Sequence, residues 1–362
     1  MADVQWLPGL EVSTKGKLSA DTEAGPRACN FFATLAGDGK LCFWDARVER
    51  MGGKRKKKSG AAEEPADAEW KAIHTVQLLS AAGLDLSCCR LCFNPSALLE
   101  GNVYVTSLDG ELLYATVIKP DGEDNPDYTK RLLSPHCGPV LALQRSPFFN
   151  DLILTVGDWT FQVWREGAEQ PLFVSPYAEA YYTTGRWSPT RPGVVFLGDE
   201  AGRVEVWDLL DSSHEAALRV PAAPASIVSM AFNAGQVGTH PLQHTMLAVG
   251  DAAGVLHVLE VPRNLRRPTH HEQQAVAGFF DRMQQRLEDV AGRSAIRADT
   301  LKAREEEARA VEDAAAAARE AAAKAAQSNR NVEEEARVAA QREYERVEYK
   351  LQVDMGLIVV DE

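Results

Sequence analysis

The chain has 362 residues, 45% of them apolar and 25% charged, with a formal net charge of −13 at pH 7. That length can bury a large core, and the composition is ordinary for a globular protein. The negative balance argues against broad affinity for nucleic acid, whose phosphates would repel it, and no apolar run approaches the roughly 18 residues that span a bilayer. The first residues, Met1-Ala2-Asp3-Val4-Gln5-Trp6, have neither a basic nor an apolar leader segment, so no secretory signal is expected. Six cysteines, at 29, 42, 88, 89, 92 and 137, form no even framework and read as reduced thiols of a cytosolic compartment.

In chain order, a strand over residues 4–8 ends at Pro8. Then comes Thr34-Leu35-Ala36-Gly37-Asp38-Gly39-Lys40-Leu41-Cys42-Phe43-Trp44-Asp45, a strand, a tight Gly/Asp turn and a second strand closing on Trp-Asp. An insertion follows at 46–70, carrying Lys54-Arg55-Lys56-Lys57-Lys58, which reads as a solvated loop, a nuclear-import signal or a contact for an acidic surface. The strand–turn–strand unit returns at 105–114, 154–164, 196–208 and 248–259, each preceded by an extra strand at 86–95, 140–147, 185–189 and 227–233. Four of the five preceding strands end in Pro, which cannot donate to a sheet ladder and so closes the strand. Looser segments at 73–76 and 171–174 supply a fourth strand.

Aligned on the turn, the Trp position falls at Trp44, Ala115, Trp164, Trp207 and Leu259, in steps of 71, 49, 43 and 52 residues. The repeat period of WD proteins is about 40–45. Such a unit cannot bury its own apolar faces and must stack radially as a propeller blade. The expectation is an all-β WD-repeat propeller over 1–262, with five countable blades that leave either an open arc, an incomplete ring, or a strained closed one.

After Pro262 and Pro268 the composition shifts to Ala, Glu, Arg and Gln, which is helix-forming material. A helical tail is expected over 263–350. Val276, Phe280, Met283, Leu287 and Val290 make one apolar stripe at spacings of four and three, and Phe279 widens it. Such a face must dock, on the propeller flank or on a partner. Residues 301–326 are mostly Ala and charge, with Glu305–Arg309 and Glu320–Lys324 pairs four apart. Their readings are a solvated single helix and a partner-bound coiled coil. Ser328-Asn329-Arg330-Asn331 is expected to interrupt the helix, with Asn331 capping a new one, and 351–362 is expected to be a short extended terminus.

Catalytic residues, cofactors and metal ligands are not expected. Cys89 and Cys92 match Cys-x-x-Cys, but on a strand they point to opposite faces and lack a second pair. His240 and His244 flank Pro241 without a Glu partner. No phosphate-cradling Gly-x-x-x-x-Gly-Lys and no nucleophile Gly-x-Ser-x-Gly occurs. His136, ahead of Gly138-Pro139-Val140, is placed to bond through a blade interior to Thr155, Trp164 and Asp158, a structural network. Trp159 reads as taking the turn position held by Gly39, Gly110, Gly202 and Gly254, which would project a large aromatic from the rim as an interface anchor or against a neighbouring loop.

Two stretches carry a family resemblance. Arg145-Ser146-Pro147-Phe148-Phe149-Asn150-Asp151-Leu152-Ile153-Leu154-Thr155-Val156-Gly157-Asp158-Trp159-Thr160-Phe161-Gln162-Val163-Trp164 resembles the most distinctive blade of axonemal dynein intermediate chains. Gly185-Arg186-Trp187-Ser188-Pro189, continuing to Val206-Trp207-Asp208-Leu209-Leu210-Asp211, resembles the next. The Val4-Gln5-Trp6-Leu7-Pro8 entry and the long helical tail look most like the inner-arm intermediate chain of the two-headed dynein. The resemblance implies a non-catalytic subunit whose propeller binds a dynein heavy chain, associates with other intermediate and light chains, and docks the motor on axonemal doublet microtubules. It implies a place in the ciliary or flagellar axoneme, with a cytoplasmic pre-assembly pool, and no nucleic-acid or membrane partner. Family members carry an N-terminal light-chain-binding region and further blades; this chain begins at a blade strand and is expected to be a shortened form. The alternative reading of the same blades is a generic WD-repeat interaction scaffold of cytoplasm or nucleus.

Overall fold

A computed structural model describes residues 2–14, 16–20, 29–47, 71–80, 83–118, 128–233 and 246–355. The basic run 54–58, the His240/His244 pair and the 357–360 segment lie outside the described residues. Strands β1 (Asp3–Leu7), β4 (Phe31–Leu35), β5 (Lys40–Asp45) and β6 (His74–Gln77) form the first antiparallel sheet, with a small hairpin of β2 (Leu10–Val12) and β3 (Leu18–Ala20) inserted after β1. The second sheet is β7 (Cys88–Phe93), β8 (Asn102–Ser107), β9 (Leu112–Thr116) and β10 (Thr129–Leu133). The third is β11 (Val140–Arg145), β12 (Leu152–Gly157), β13 (Thr160–Arg165) and β14 (Phe173–Val174). The fourth is β15 (Tyr182–Trp187), β16 (Val194–Asp199), β17 (Arg203–Asp208) and β18 (Leu218–Pro221). A fifth sheet has three strands among the described residues, β19 (Ile227–Phe232), β20 (Met246–Asp251) and β21 (Leu256–Glu260).

The five sheets are blades in one register. Trp44 pairs with Phe32, Trp164 with Ile153 and Trp207 with Val195, so the three tryptophans hold the same place on the third strand. Ala115 and Leu259 hold it in blades 2 and 5, opposite Val103 and Leu247. In the blade-2 turn Gly110 has φ +86°, and a Cβ there would collide with the His136 carbonyl, so only glycine fits.

Successive blades bury facing surfaces, and each of the four interfaces has its own apolar cluster. Phe43 of blade 1 meets Phe93 of blade 2 at 6.2 Å. Leu112 and Tyr104 of blade 2 join Leu143, Ile153 and Trp164 of blade 3. Phe161 of blade 3 lies edge-on to Trp207 of blade 4 at 5.2 Å, and Phe196 of blade 4 sits on Phe232 of blade 5 at 5.0 Å. Strand alternation makes this possible, because each blade presents one apolar set forward and another backward.

The two end faces break the pattern. Positions equivalent to Phe161 and Val163, both fully buried, are Leu256 and Val258 on blade 5, which are 67% and 60% exposed. Positions equivalent to Leu91 and Phe93 are Val4 and Trp6 on blade 1, at 41% and 52%. The described blades therefore make an arc whose forward face on blade 5 and backward face on blade 1 stay open.

Helix α1 (Arg263–Arg266) leads to α2 (Glu272–Asp354). Residues Met1–Leu287 form one compact unit and the chain from Glu288 a second. Within the first, Val276, Phe279 and Phe280 are buried in the cluster between blades 3 and 4, with Met283 and Leu287 packed beside them. Phe280 approaches Phe149 and Phe279 approaches Phe173, each at 6.5 Å. Arg191, 8% exposed, fastens the helix start: it pairs with Glu272 at 2.9 Å and Asp208 at 2.7 Å and donates to the Asn264 carbonyl. Glu272 also accepts from the Thr269 backbone N–H at 2.7 Å, one arm of a capping box. In the second unit every residue from Glu288 through Leu351 is exposed, and Glu320–Lys324 makes its four-apart pair at 2.8 Å.

Two expectations for the tail are corrected. The helix does not break at Ser328-Asn329-Arg330-Asn331 but runs through it, and it continues to Asp354 in place of an extended segment from 351. The propensity penalty of Ser and Asn is only a few tenths of a kcal/mol each, too small to stop a helix with good formers on both sides.

An aspartate at position 280 would set a carboxylate among buried aromatics. Phe280→Asp should therefore cost about 3–5 kcal/mol in urea unfolding, whereas ending the chain after Gly292 should leave the midpoint in place. The open faces should make the isolated chain self-associate at micromolar concentration. Leu256→Lys with Val258→Lys should suppress that association in sedimentation velocity while changing stability by no more than about 1 kcal/mol; a wild-type chain that is monomeric throughout would contradict the role given to these faces.

Candidate functional site

The one deeply buried polar constellation anticipated from the sequence lies in blade 3. The structure brings His136, Thr155, Asp158 and Trp164 together although they come from a loop, a strand, a turn and the next strand. Trp164 Nε1–H donates to Thr155 Oγ1 at 3.1 Å. Thr155 Oγ1 lies 3.1 Å from His136 Nε2, and His136 Nδ1 lies 3.4 Å from Asp158 Oδ1. With the indole as a fixed donor, the consistent assignment has the threonine hydroxyl donating to Nε2 and Nδ1–H facing the carboxylate. Asp158 also accepts from the Cys137 N–H at 3.0 Å, the Thr160 N–H at 3.0 Å and the Thr160 hydroxyl at 2.9 Å. The imidazole is wholly buried, so this His–Asp pair presents no face to a substrate and has the chemistry of a brace.

Burial pushes the His136 pKa below its ordinary 6.5, opposed by the Asp158 charge and its hydrogen bond. The folded state thus binds this proton less readily than the unfolded chain. Its stabilising contribution is complete above about pH 6.5 and is lost as pH falls from there through the depressed folded value.

Other blades fill the same interior differently, and no sequence motif marks how. In blade 4, Tyr182 Oη–H donates to Glu205 Oε2 at 2.6 Å, Trp207 Nε1–H to the same oxygen at 3.4 Å, and Arg219 pairs with Oε1 at 3.0 Å. Glu205 aligns with Gln162 of blade 3, a one-blade substitution visible only once the register is known. In blade 1 a simpler pair remains, Trp44 Nε1–H to Thr34 Oγ1 at 2.8 Å.

Trp159 needs a correction. Blade 3 turns in two residues, Gly157 pairing directly with Thr160, one residue shorter than the other blades. The left-handed residue there is Asp158, at φ +47°, so Trp159 does not occupy the position of Gly39, Gly110, Gly202 and Gly254. Asp158 tolerates that backbone because its carboxylate bonds forward to the Thr160 N–H. Trp159 still stands at the rim, 44% exposed, edge-on to Tyr181 at 5.3 Å, with Tyr177 nearby in sequence at 83% exposure. Of the candidate interface residues, Val276, Phe280, Met283 and Leu287 face the chain's own blades, and Trp159 and Val290 remain open.

Cys88 and Cys92 are buried free thiols, and burial drives the Cys88 pKa up to about 12, far from nucleophilic poise. Among the described residues no group of three or more His, Cys, Asp or Glu is arranged to hold a metal.

Radially stacked four-stranded sheets with Trp at one recurring place define a WD-repeat protein. Residues 93–261 match the family model described as the dynein axonemal intermediate chain 3 WD40 domain. Dynein axonemal intermediate chain 3 of Homo sapiens is 29% identical over 360 aligned positions, covering 83% of this chain and 40% of the relative. The Mus musculus protein of that name is 36% identical over 199 positions, covering 54% and 21%. The 70 kDa intermediate chain of the Chlamydomonas reinhardtii flagellar outer arm is 34% identical over 191, covering 52% and 32%. Over these blades the chain is similar to axonemal dynein intermediate chains, and it spans about two fifths of the length of its human relative.

Asp158→Ala removes the acceptor of three donors and leaves the buried imidazole N–H with only the Thr160 hydroxyl, 3.2 Å away. The expected cost is about 1–3 kcal/mol in chemical denaturation, with binding to any partner unchanged once the variant is folded. The melting temperature of the wild type should fall below pH 6.5 more steeply than that of His136→Gln; parallel profiles would exclude His136 as the titrating group.

Proposed function

We propose that this chain is a non-catalytic intermediate-chain subunit of an axonemal dynein, acting in the ciliary or flagellar axoneme, and that the dynein it serves is an inner-arm one. The observation that carries the reading is the family match over residues 93–261, blades 2 to 5. The physical form suits it: rigid blades with buried polar braces, a rim bearing Trp159, and a long helix offer surface without a reactive centre. A dynein heavy chain is the partner proposed for the blades, and other intermediate and light chains complete the set. The inner-arm assignment rests on the resemblance of the Val4–Pro8 entry and the long helical tail to the inner-arm intermediate chain of the two-headed dynein, while the alignment with the outer-arm chain covers 52% of this chain.

Fractionation of axonemes tests both levels. A tagged chain expressed in ciliated cells should appear in salt extracts and co-sediment with inner-arm heavy chains. Co-sedimentation with outer-arm heavy chains would keep the subunit reading and overturn the inner-arm one, and absence from axonemes would overturn both. Trp159→Ala, which leaves the core intact, should lower incorporation if the rim of blade 3 is part of the heavy-chain contact.

A further inference from the structure

The innermost strands of all five blades, β1, β7, β11, β15 and β19, line a cavity of about 470 Å³ on the axis of the arc. Strand alternation points two layers of side chains into it. One layer holds Asp3, Arg90, Thr184 and Ser229, and the next holds Gln5, Gln144 and Arg186. Three of these accept from the backbone of the next inner strand. Gln5 accepts from the Phe93 N–H at 3.1 Å, Gln144 from the Trp187 N–H at 2.8 Å, and Asp3 from the Leu91 N–H at 3.0 Å.

The two arginines are different. Arg90 Nε–H donates to the Leu141 carbonyl at 2.8 Å, and Arg186 Nε–H to the Met230 carbonyl at 3.0 Å. Each guanidinium is thereby fixed in direction through one nitrogen, with its terminal nitrogens left over. Arg90 has a loose acidic neighbour, Asp3 at 3.9 Å. Arg186 forms no ion pair with a described acidic residue, while the third arginine of the lining, Arg145, is neutralised by Glu166 at 2.8 Å. A chain of net charge −13 thus sets two guanidinium groups against the single carboxylate of Asp3 in the lining of this cavity, a net positive spot whose field the low-dielectric walls focus.

We propose that this axial cavity receives a phosphate-class oxyanion, held by the guanidinium groups of Arg90 and Arg186. A tetrahedral oxyanion suits the site better than a carboxylate, whose two oxygens one arginine fork saturates. Here two guanidiniums stand on non-adjacent blades, 2 and 4, with the hydroxyl-bearing Thr184 and Ser229 in the same lining, so several oxygens are needed to use the donors. Burial and the neighbouring Arg90 charge bias Arg186 against its charged form, with Asp3 opposing them in part, and an anion between the two arginines relieves the remaining cost. The group is either a free phosphate or a phosphorylated side chain that enters the cavity.

Calorimetric titration of the full chain at constant ionic strength, with inorganic phosphate, pyrophosphate and a phosphoserine peptide in turn, separates these sources. Saturable binding of a free phosphate supports the site as a small-molecule receptor; binding of the peptide alone supports it as a reader of a phosphorylated partner. Arg186→Gln should weaken either about ten- to a hundred-fold, and Asp3→Asn, which keeps an acceptor for the Leu91 N–H while removing the competing charge, should strengthen it. Arg186→Lys, retaining the charge, should recover part of the affinity and shows that the loss is not misfolding. No saturable binding of any probe, or unchanged affinity in Arg186→Gln, overturns the proposal, and neither result bears on membership of a dynein.

Discussion

Everything in the compact part of this chain depends on the face-to-face packing of one blade on the next. A single four-stranded sheet with apolar residues on both sides is not a stable object in water, because half of its burial has to come from a neighbour. The contact of Phe161 with Trp207 is representative: two large side chains from different repeats become fully buried, each contributing on the order of 2–3 kcal/mol of transfer free energy. Four such interfaces hold five sheets, and their clusters are distinct, so the arc is a series of couplings and not a single core. That form also leaves an apolar face at each end. Completing those faces is a matter for whatever lies against blades 1 and 5.

Packing alone would allow blades to slide, and the polar groups remove that freedom. On the inner strands, side chains of one blade bond to the backbone of the next: Gln5 to Phe93, Arg90 to Leu141, Gln144 to Trp187, Arg186 to Met230. Within blades, the interior polar positions are satisfied by whatever set fits. Blade 3 uses His136, Thr155 and Asp158, blade 4 uses Tyr182, Glu205 and Arg219, and blade 1 uses Thr34 with Trp44. What the fold requires is that buried donors and acceptors be paired, and the identity of the pair is free to vary. This is why a motif search finds one brace and misses the others.

The helix shows how a sequence feature can be read correctly in kind and still change meaning. Its apolar stripe does dock, as an exposed stripe must, but it docks between blades 3 and 4 of its own chain and is therefore spent on stability. Arg191 makes that docking specific. A buried guanidinium between Glu272 and Asp208 ties the helix start to two blade residues, and removal of any member would leave an uncompensated buried charge. A partner looking for this chain meets instead the rim around Trp159 and the exposed helix from Glu288 onward.

The repeat, its strand order, the place of Trp44, Trp164 and Trp207, and the residues of the blade-3 brace were legible in the chain, because each is written in local spacing: alternation of period two, a turn residue, a fixed offset from turn to Trp. The tail was legible as helix for the same reason, in composition and a stripe of period 3.6. Tertiary structure alone decided the rest. Whether Ser328 to Asn331 breaks the helix is a balance of tenths of a kcal/mol that no short pattern settles. The shorter blade-3 turn, which moves the left-handed residue from a glycine to Asp158, is visible only when strands are paired. The Glu205 network, the Arg191 clamp and the convergence of Arg90 and Arg186 on one axis join residues from 14 to 81 apart in the chain and beyond. Their proximity is a product of radial stacking, and stacking is a property of the assembled blades that no single repeat encodes.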